Sequence, residues 1–289
     1  MSSKKVKRAK ELLNGGKAWE NRNKIFALLF SALKEHDSEA ADLLAGIYTN
    51  MELTDYDYDK CCAYVKLSKD FDDPEGLLVW AEDIQSDSIY SLMLKKKAAD
   101  KGYPKAMFEY GRSIYYQNPY ESIKYMKMAA DKGYPKAMYI LAKASWFGYS
   151  ILVNHKKAFK YMNMAAKAEY SDAFFYLGYM YDIGLGTKKN HKKAREYFEK
   201  VQNYKCFEAK GFLGRQMILG LGIKKNVKEG FKMLKEGVDM SYHPEPELLI
   251  TLAKCYHSGI GIEIDHKKGD EYLDMLRIQH DETRGERIW

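Results

Sequence analysis

Cysteine is scarce in this chain, with four residues at 61, 62, 206 and 255. Two are adjacent and the others stand far apart, so no recurring pair offers a disulfide framework. The pattern reads as unpaired thiols in a reducing compartment. Long apolar runs are missing as well. The best, Ile25 to Leu33, is interrupted by Ser31 and flanked by Lys24 and Lys34. It falls well short of the roughly 18 residues of a membrane span and reads as a buried helix face. The N-terminus, M-S-S-K-K-V-K-R-A-K, is basic but has no apolar core of a secretory signal. Charge is modest too: the net +7 permits an acidic partner without demanding nucleic acid. With 46% hydrophobic and 30% charged residues, extended disorder is excluded.

What the chain has instead is repetition. Ala98 to Met107 and Ala129 to Met138 both read A-A-D-K-G-Y-P-K-A-M. Duplication at that spacing belongs to tandem helical units, which stack into solenoids. A pair of small residues five apart recurs at Ala41/Gly46, Gly76/Ala81, Ala106/Gly111, Ala137/Ala142, Ala173/Gly178 and Ala209/Gly214, with a weaker Leu248/Ala253. Small side chains at helical spacing admit a neighbouring helix at close range.

Each unit reads as helix, loop, helix, turn. In the clearest, D-A-F-F-Y-L-G-Y-M-Y is followed by D-I-G-L-G-T-K-K-N, where Gly184 and Gly186 end a helix and Asn190 caps the next. The loop returns as Gly220 to Asn226 and Gly259 to Asp265, and in a worn form as Gly148 to Asn154. The units near 73–134 lack it, and N-P-Y-E (Asn118 to Glu121) makes a tight turn there. Gly102 and Gly133 stop second helices, and Pro104 and Pro135 open the next ones in the first turn, where a missing N–H is harmless.

The order A-x-x-x-L-G-x-x-Y, G-x-G loop, capped K-K-A helix and closing A-A-x-x-G resembles the Sel-one-like repeat, a relative of the tetratricopeptide repeat, over about residues 38–280. Departures are the two short units, Leu248 at a small position and Gly237 in place of a second-helix alanine. The expected fold is all-α, a right-handed α-solenoid of about seven helix-turn-helix repeats near 38–72, 73–103, 104–134, 135–170, 171–206, 207–245 and 246–280. Residues 1–37 form a degenerate capping unit, and 281–289 a polar tail. The family resemblance implies an adaptor in signalling or assembly.

Chemistry-bearing patterns all have plainer explanations. His155, His191 and His266 follow a cap residue in three units and read as first-turn residues rather than metal ligands. The G-L-G loop follows a helix, not a strand, and lacks a phosphate-binding continuation. Cys61-Cys62 sits among carboxylates that would raise a thiol pKa. No catalytic residue, cofactor or metal is expected. Lys4, Lys5, Lys7 and Arg8 fit a minimal nuclear-import pattern on an otherwise cytoplasmic protein.

If the tetratricopeptide register carries over, one stripe of each first helix faces inward. That stripe comprises Phe108, Arg112 and Tyr115, then Tyr139, Lys143 and Trp146, then Phe175, Tyr179 and Asp182. Arg215 and Ile218 follow, then Ile250, Lys254 and His257. The earlier units give Leu43, Ile47, Asn50, Leu78, Glu82 and Gln85. Aromatic rings beside guanidinium and ammonium groups suit an acidic peptide or protein segment. Single-stranded nucleic acid along the same face, or an unrecognised hydrolase, are the alternatives.

Overall fold

The computed structural model describes residues 3–50, 53, 57–83, 89–202 and 206–282. The chain divides into two compact units, Met1–Tyr134 and Pro135–Trp289. Sixteen helices and no strand occur among the described residues. In the first unit they are α1 (Lys4–Asn14), α2 (Arg22–Leu33), α3 (Ser38–Asn50), α4 (Tyr58–Lys69), α5 (Pro74–Asp83), α6 (Ile89–Asp100), α7 (Pro104–Ile114) and α8 (Pro119–Asp131). The second unit holds α9 (Pro135–Phe147), α10 (His155–Lys167), α11 (Ser171–Ile183), α12 (His191–Gln202), α13 (Phe207–Leu219), α14 (Val227–Met240), α15 (Pro246–Ser258) and α16 (His266–Glu282). Within each unit the helices pack on their neighbours in sequence. First helices also touch one another, α5 on α7 and α13 on α15.

Helix boundaries follow from local chemistry. Asp57, Asn118, Asn154, Asn190, Asn226 and Asp265 each accept, through a side-chain oxygen, the amide N–H three residues on. This satisfies a donor the helix itself leaves open, and losing such a cap costs about 1 kcal/mol. At the other end, the Gly133 N–H donates to the Ala130 carbonyl and the Tyr134 N–H to the Ala129 carbonyl. Gly133 takes a φ of 89° there, a left-handed stop open to glycine.

The small-residue pairs do separate jobs. A Cβ on Gly76, the first member of its pair, would lie 2.7 Å from Leu67 Cβ and 3.0 Å from the Ala63 carbonyl of the preceding second helix. A Cβ on the second member meets the second helix of the same repeat: Gly111 the Ser122 carbonyl at 3.1 Å, Gly178 the Ala194 carbonyl at 3.2 Å, Gly214 the Gly230 carbonyl at 2.6 Å. Each such first helix is thus gripped from two sides. Gly46 is the exception, with nothing near its missing Cβ. Large side chains fill the remaining space. Phe198 and Phe212 are fully buried, with rings 5.2 Å apart, and each contributes about 1.5–3 kcal/mol of burial.

The second glycine of the G-x-G loop does more than end a helix. A Cβ on Gly186 would fall on the His155 carbonyl. On Gly222 it would sit 3.1 Å from the Lys192 amide, and on Gly261 3.0 Å from the Val227 carbonyl. These loops therefore nest on the first turns of α10, α12 and α14, joining consecutive repeats. The α1 segment carries the basic cluster, where Lys5 pairs with Glu35 and Arg8 with Glu11. No helix among the described residues is long and apolar enough to cross a membrane. The expected tail, 281–289, overlaps the end of α16, and residues 283–289 lie outside the described residues.

Candidate functional site

In the second unit, α9 and α11 present a continuous set of rings. Tyr139 is half-buried, its ring 5.3 Å from Tyr170 and 5.8 Å from Tyr176. Burial, then the neighbouring Tyr176 hydroxyl, push its phenol well above the usual range. One turn on, the Lys143 ammonium stands 5.8 Å and 6.0 Å from the Tyr139 and Tyr176 ring centres. Trp146 follows, stacked on Phe147 (5.2 Å, 7°) and on Tyr179 (5.6 Å, 14°), with Tyr176 edge-on at 6.1 Å. Phe175 completes the set, 6.4 Å from Tyr179 and 6.1 Å from Phe212. Tyr139, Trp146 and Phe175 keep part of their surface in solvent, whereas Tyr179 is only 8% exposed.

The Tyr179 hydroxyl donates to Glu247 Oε2 at 3.0 Å, bridging α11 to α15. Burial and then the Glu245 and Glu247 carboxylates raise its pKa, keeping it a neutral donor. Asp182 lies deeper, its side chain inaccessible to solvent. Its Oδ1 takes His191 Nδ1 at 2.9 Å and Gln216 Nε2 at 2.8 Å, and its Oδ2 takes Arg215 Nη1 at 2.8 Å. Three donors from α12 and α13 thus converge on one buried carboxylate, so Asp182 organises the site from behind. Arg215 and Lys254 both line a cleft of about 210 Å³ between α13 and α15. Ile218, Leu219, Glu247, Ile250, Thr251, Cys255 and Ile260 form the rest of its lining.

The stripe is less available in the first unit. Phe108 is fully buried, with Tyr134 against it at 5.3 Å. Arg112 is exposed, but its Nε and Nη2 donate to Glu109 at 3.0 Å and 2.8 Å. Tyr115 is half-buried against Tyr116. Ile47 and Leu78 are buried, and Glu82 pairs with Lys105 at 3.2 Å. Leu43 is half-buried, while Gln85 lies outside the described residues. In the second unit Ile218 on α13 is buried and Ile250 on α15 lies at the surface, while the His257 ring rests on Gly269 of its own partner helix.

Sequence spacing missed Tyr176 and Glu247, and it missed why Phe108 is hidden. A legible signal existed for the last: tyrosine recurs after the helix-ending turn at 134 and 170, and each packs on the first inward position of its repeat's first helix, Phe108 on α7 and Tyr139 on α9. Among the histidines, His155 and His266 are exposed, and His191 alone joins the buried carboxylate. Cys61, Cys62, Cys206 and Cys255 are unpaired. Burial pushes the thiols of Cys206 and Cys255 up to about 11, which keeps them protonated and poorly nucleophilic at neutral pH. Among the described residues no group of three His, Cys, Asp or Glu side chains could hold a metal ion.

Paired helices joined through small residues, with rings massed on the first helices, define a helical-hairpin repeat protein. The Sel1 repeat profile matches residues 104–134, 135–170, 171–200, 209–242 and 250–274, more than half of the chain. The chain belongs to the Sel1 repeat family. Members of that family generally serve as protein-interaction scaffolds and are typically not enzymes. Among solved structures, a protective antigen of uropathogenic Escherichia coli with the SLR fold matches with a TM-score of 0.59 at 18% identity, over 87% of this chain and 56% of its own. This chain therefore spans little more than half that structure's length. A Sel1 repeat protein from Oxalobacter formigenes matches with a TM-score of 0.50 at 20% identity, over 95% and 99%. At such identities the likeness speaks for the fold alone. Comparison with curated proteins gives no match.

Proposed function

We propose that the chain is a non-catalytic interaction scaffold, cytoplasmic, that docks a protein or peptide segment on the first helices of its repeats. The observation that carries this reading is the part-exposed set of Tyr139, Trp146, Phe175 and Tyr176, followed along the same unit by the Arg215–Lys254 cleft. Rings locked against one another offer contact area at little entropic cost, which is why aromatics dominate binding energy at interfaces. Lys143 beside the rings and Lys254 in the cleft suit carboxylates on the partner.

Single-stranded nucleic acid fits this face less well. Arg112 and Arg215 already hold Glu109 and Asp182, and Glu247 stands in the same cleft, where it would repel phosphates. Affinity capture with mass spectrometry, run on the wild type and on Trp146→Ala and Lys143→Glu, tests the reading. The same partners should fall about ten-fold in both variants, with both still helical by circular dichroism. Partners retained by both variants would count against docking here.

A further inference from the structure

We infer that the loop edge of the second unit lies against an anionic lipid surface, its lysines on the headgroups and its aliphatic tips among them. The contact is peripheral and made by loops and first turns. It is separate from the rings of the first helices, and its test does not depend on docking there.

The edge is continuous because each G-x-G loop nests on the first turn of the preceding second helix, Gly186 on α10, Gly222 on α12 and Gly261 on α14. Four matching stretches build it: 148–157, 184–193, 220–229 and 259–268. Together they hold eleven lysines against three carboxylates, Glu229, Glu263 and Asp265. That excess is larger than the net +7 of the whole chain, so the rest of the chain is close to neutral. All eleven lysines are exposed. Lys268 pairs with Asp265 at 4.0 Å, and none of the others makes an ion pair among the described residues. Elsewhere in the unit lysines find acids, as Lys210 does in Glu236 and Lys235 in Asp239.

Local stability does not account for this charge. The helices α10, α12 and α16 have no acid in their first turn, where the helix dipole favours one, and each opens on His-Lys-Lys instead. Such placement works against the helix and leaves the cations to an outside partner.

Apolar side chains stand on the same edge. Leu152 is 92% exposed, Val153 55% and Ile264 61%. The residue just before the cap is Val153, Lys189, Lys225 and Ile264 in the four loops. Aliphatic tips therefore flank two loops that carry lysine pairs. Cations beside exposed aliphatics match the boundary layer of an acidic membrane, where headgroups take the charge and acyl chains the methyl groups. Single-stranded nucleic acid would gain from the lysines but needs open rings for its bases. Tyr181 and Tyr256 are instead covered by Lys193 at 5.3 Å and Lys268 at 5.8 Å.

The test uses the full chain and vesicles of phosphatidylcholine, alone or mixed with phosphatidylserine. Cosedimentation should be about ten-fold stronger, or more, with phosphatidylserine present. Lys188→Ala combined with Lys189→Ala should lower that binding about twenty-fold. Leu152→Ser combined with Ile264→Ser should lower it about five-fold, with wild-type circular dichroism in both double variants. Equal binding to the two kinds of vesicle, or binding to neither, would overturn the inference. So would undiminished binding after the Leu152 and Ile264 changes, which would mark contact by charge alone. Tighter binding to a single-stranded RNA oligonucleotide than to the acidic vesicles, at the same salt, would overturn it as well.

Discussion

The two units join their repeats by different chemistry. Before residue 104, where the Sel1 profile finds no match, the approach of Gly76 to α4 is joined by a polar hub: Asp83 accepts from the hydroxyls of Tyr48 at 3.0 Å and Tyr64 at 2.7 Å and from Lys60 at 2.5 Å. Further along the same unit, the Tyr125 hydroxyl donates to Asp100 at 2.5 Å. From residue 135 onward the joints are mostly glycine close approaches, Gly186 on α10, Gly222 on α12 and Gly261 on α14. Backbone contact leaves side chains free, and it is there that Trp146, Phe175 and Tyr176 gather at the surface. In the first unit the tyrosines are spent on carboxylates, and Phe108 is roofed over. The contrast teaches that the joint chosen between repeats decides which side chains remain to meet a partner.

The buried Asp182 hub of the second unit should be its weakest point to mutation. Asp182→Ala strands Arg215 and Gln216 in a buried setting and should cost about 3 kcal/mol or more. Asp83→Ala, whose partners include the half-buried Lys60, should cost about 2 kcal/mol. Hydrogen exchange, followed separately on peptides of each unit, measures both. A larger loss at Asp83 would reverse the comparison.

Close approach gives the next effect. Gly214→Ala drives a methyl group into the Gly230 backbone and should destabilise the second unit by about 1–3 kcal/mol. In the first unit Gly46→Ala meets nothing and should stabilise by about 0.5–1 kcal/mol through helix propensity. Chemical denaturation of the two variants checks the opposite signs.

Binding should separate the units more gently. Lys254→Glu reverses an exposed cation of the cleft and should weaken partner capture about ten-fold, while Arg112→Glu, whose charge Glu109 already holds, should change it about two-fold. Titration with a captured partner distinguishes them.

Much of this was legible in sequence. The duplicated A-A-D-K-G-Y-P-K-A-M gave the turn at Gly133, and the cap positions Asn154, Asn190, Asn226 and Asp265 all cap as spacing suggests, because both depend on residues within one turn. Position alone does not make a cap: Asn21 precedes α2 yet makes no side-chain cap, and its side-chain amide donates to the Lys17 carbonyl instead. The site was less legible because its contacts are remote in sequence. Asp182 is buried by Arg215 and Gln216 from another repeat, and Tyr179 finds Glu247 two first helices on. Helical spacing places such residues on a stripe but does not say how deep the next repeat will sink them.

The most direct measurement is hydrogen exchange on the full chain with and without a captured partner. Protection gathered on α9, α11, α13 and α15, and lost in Trp146→Ala, is the predicted result. Protection confined to α10, α12, α14 and α16 would contradict docking on the first helices.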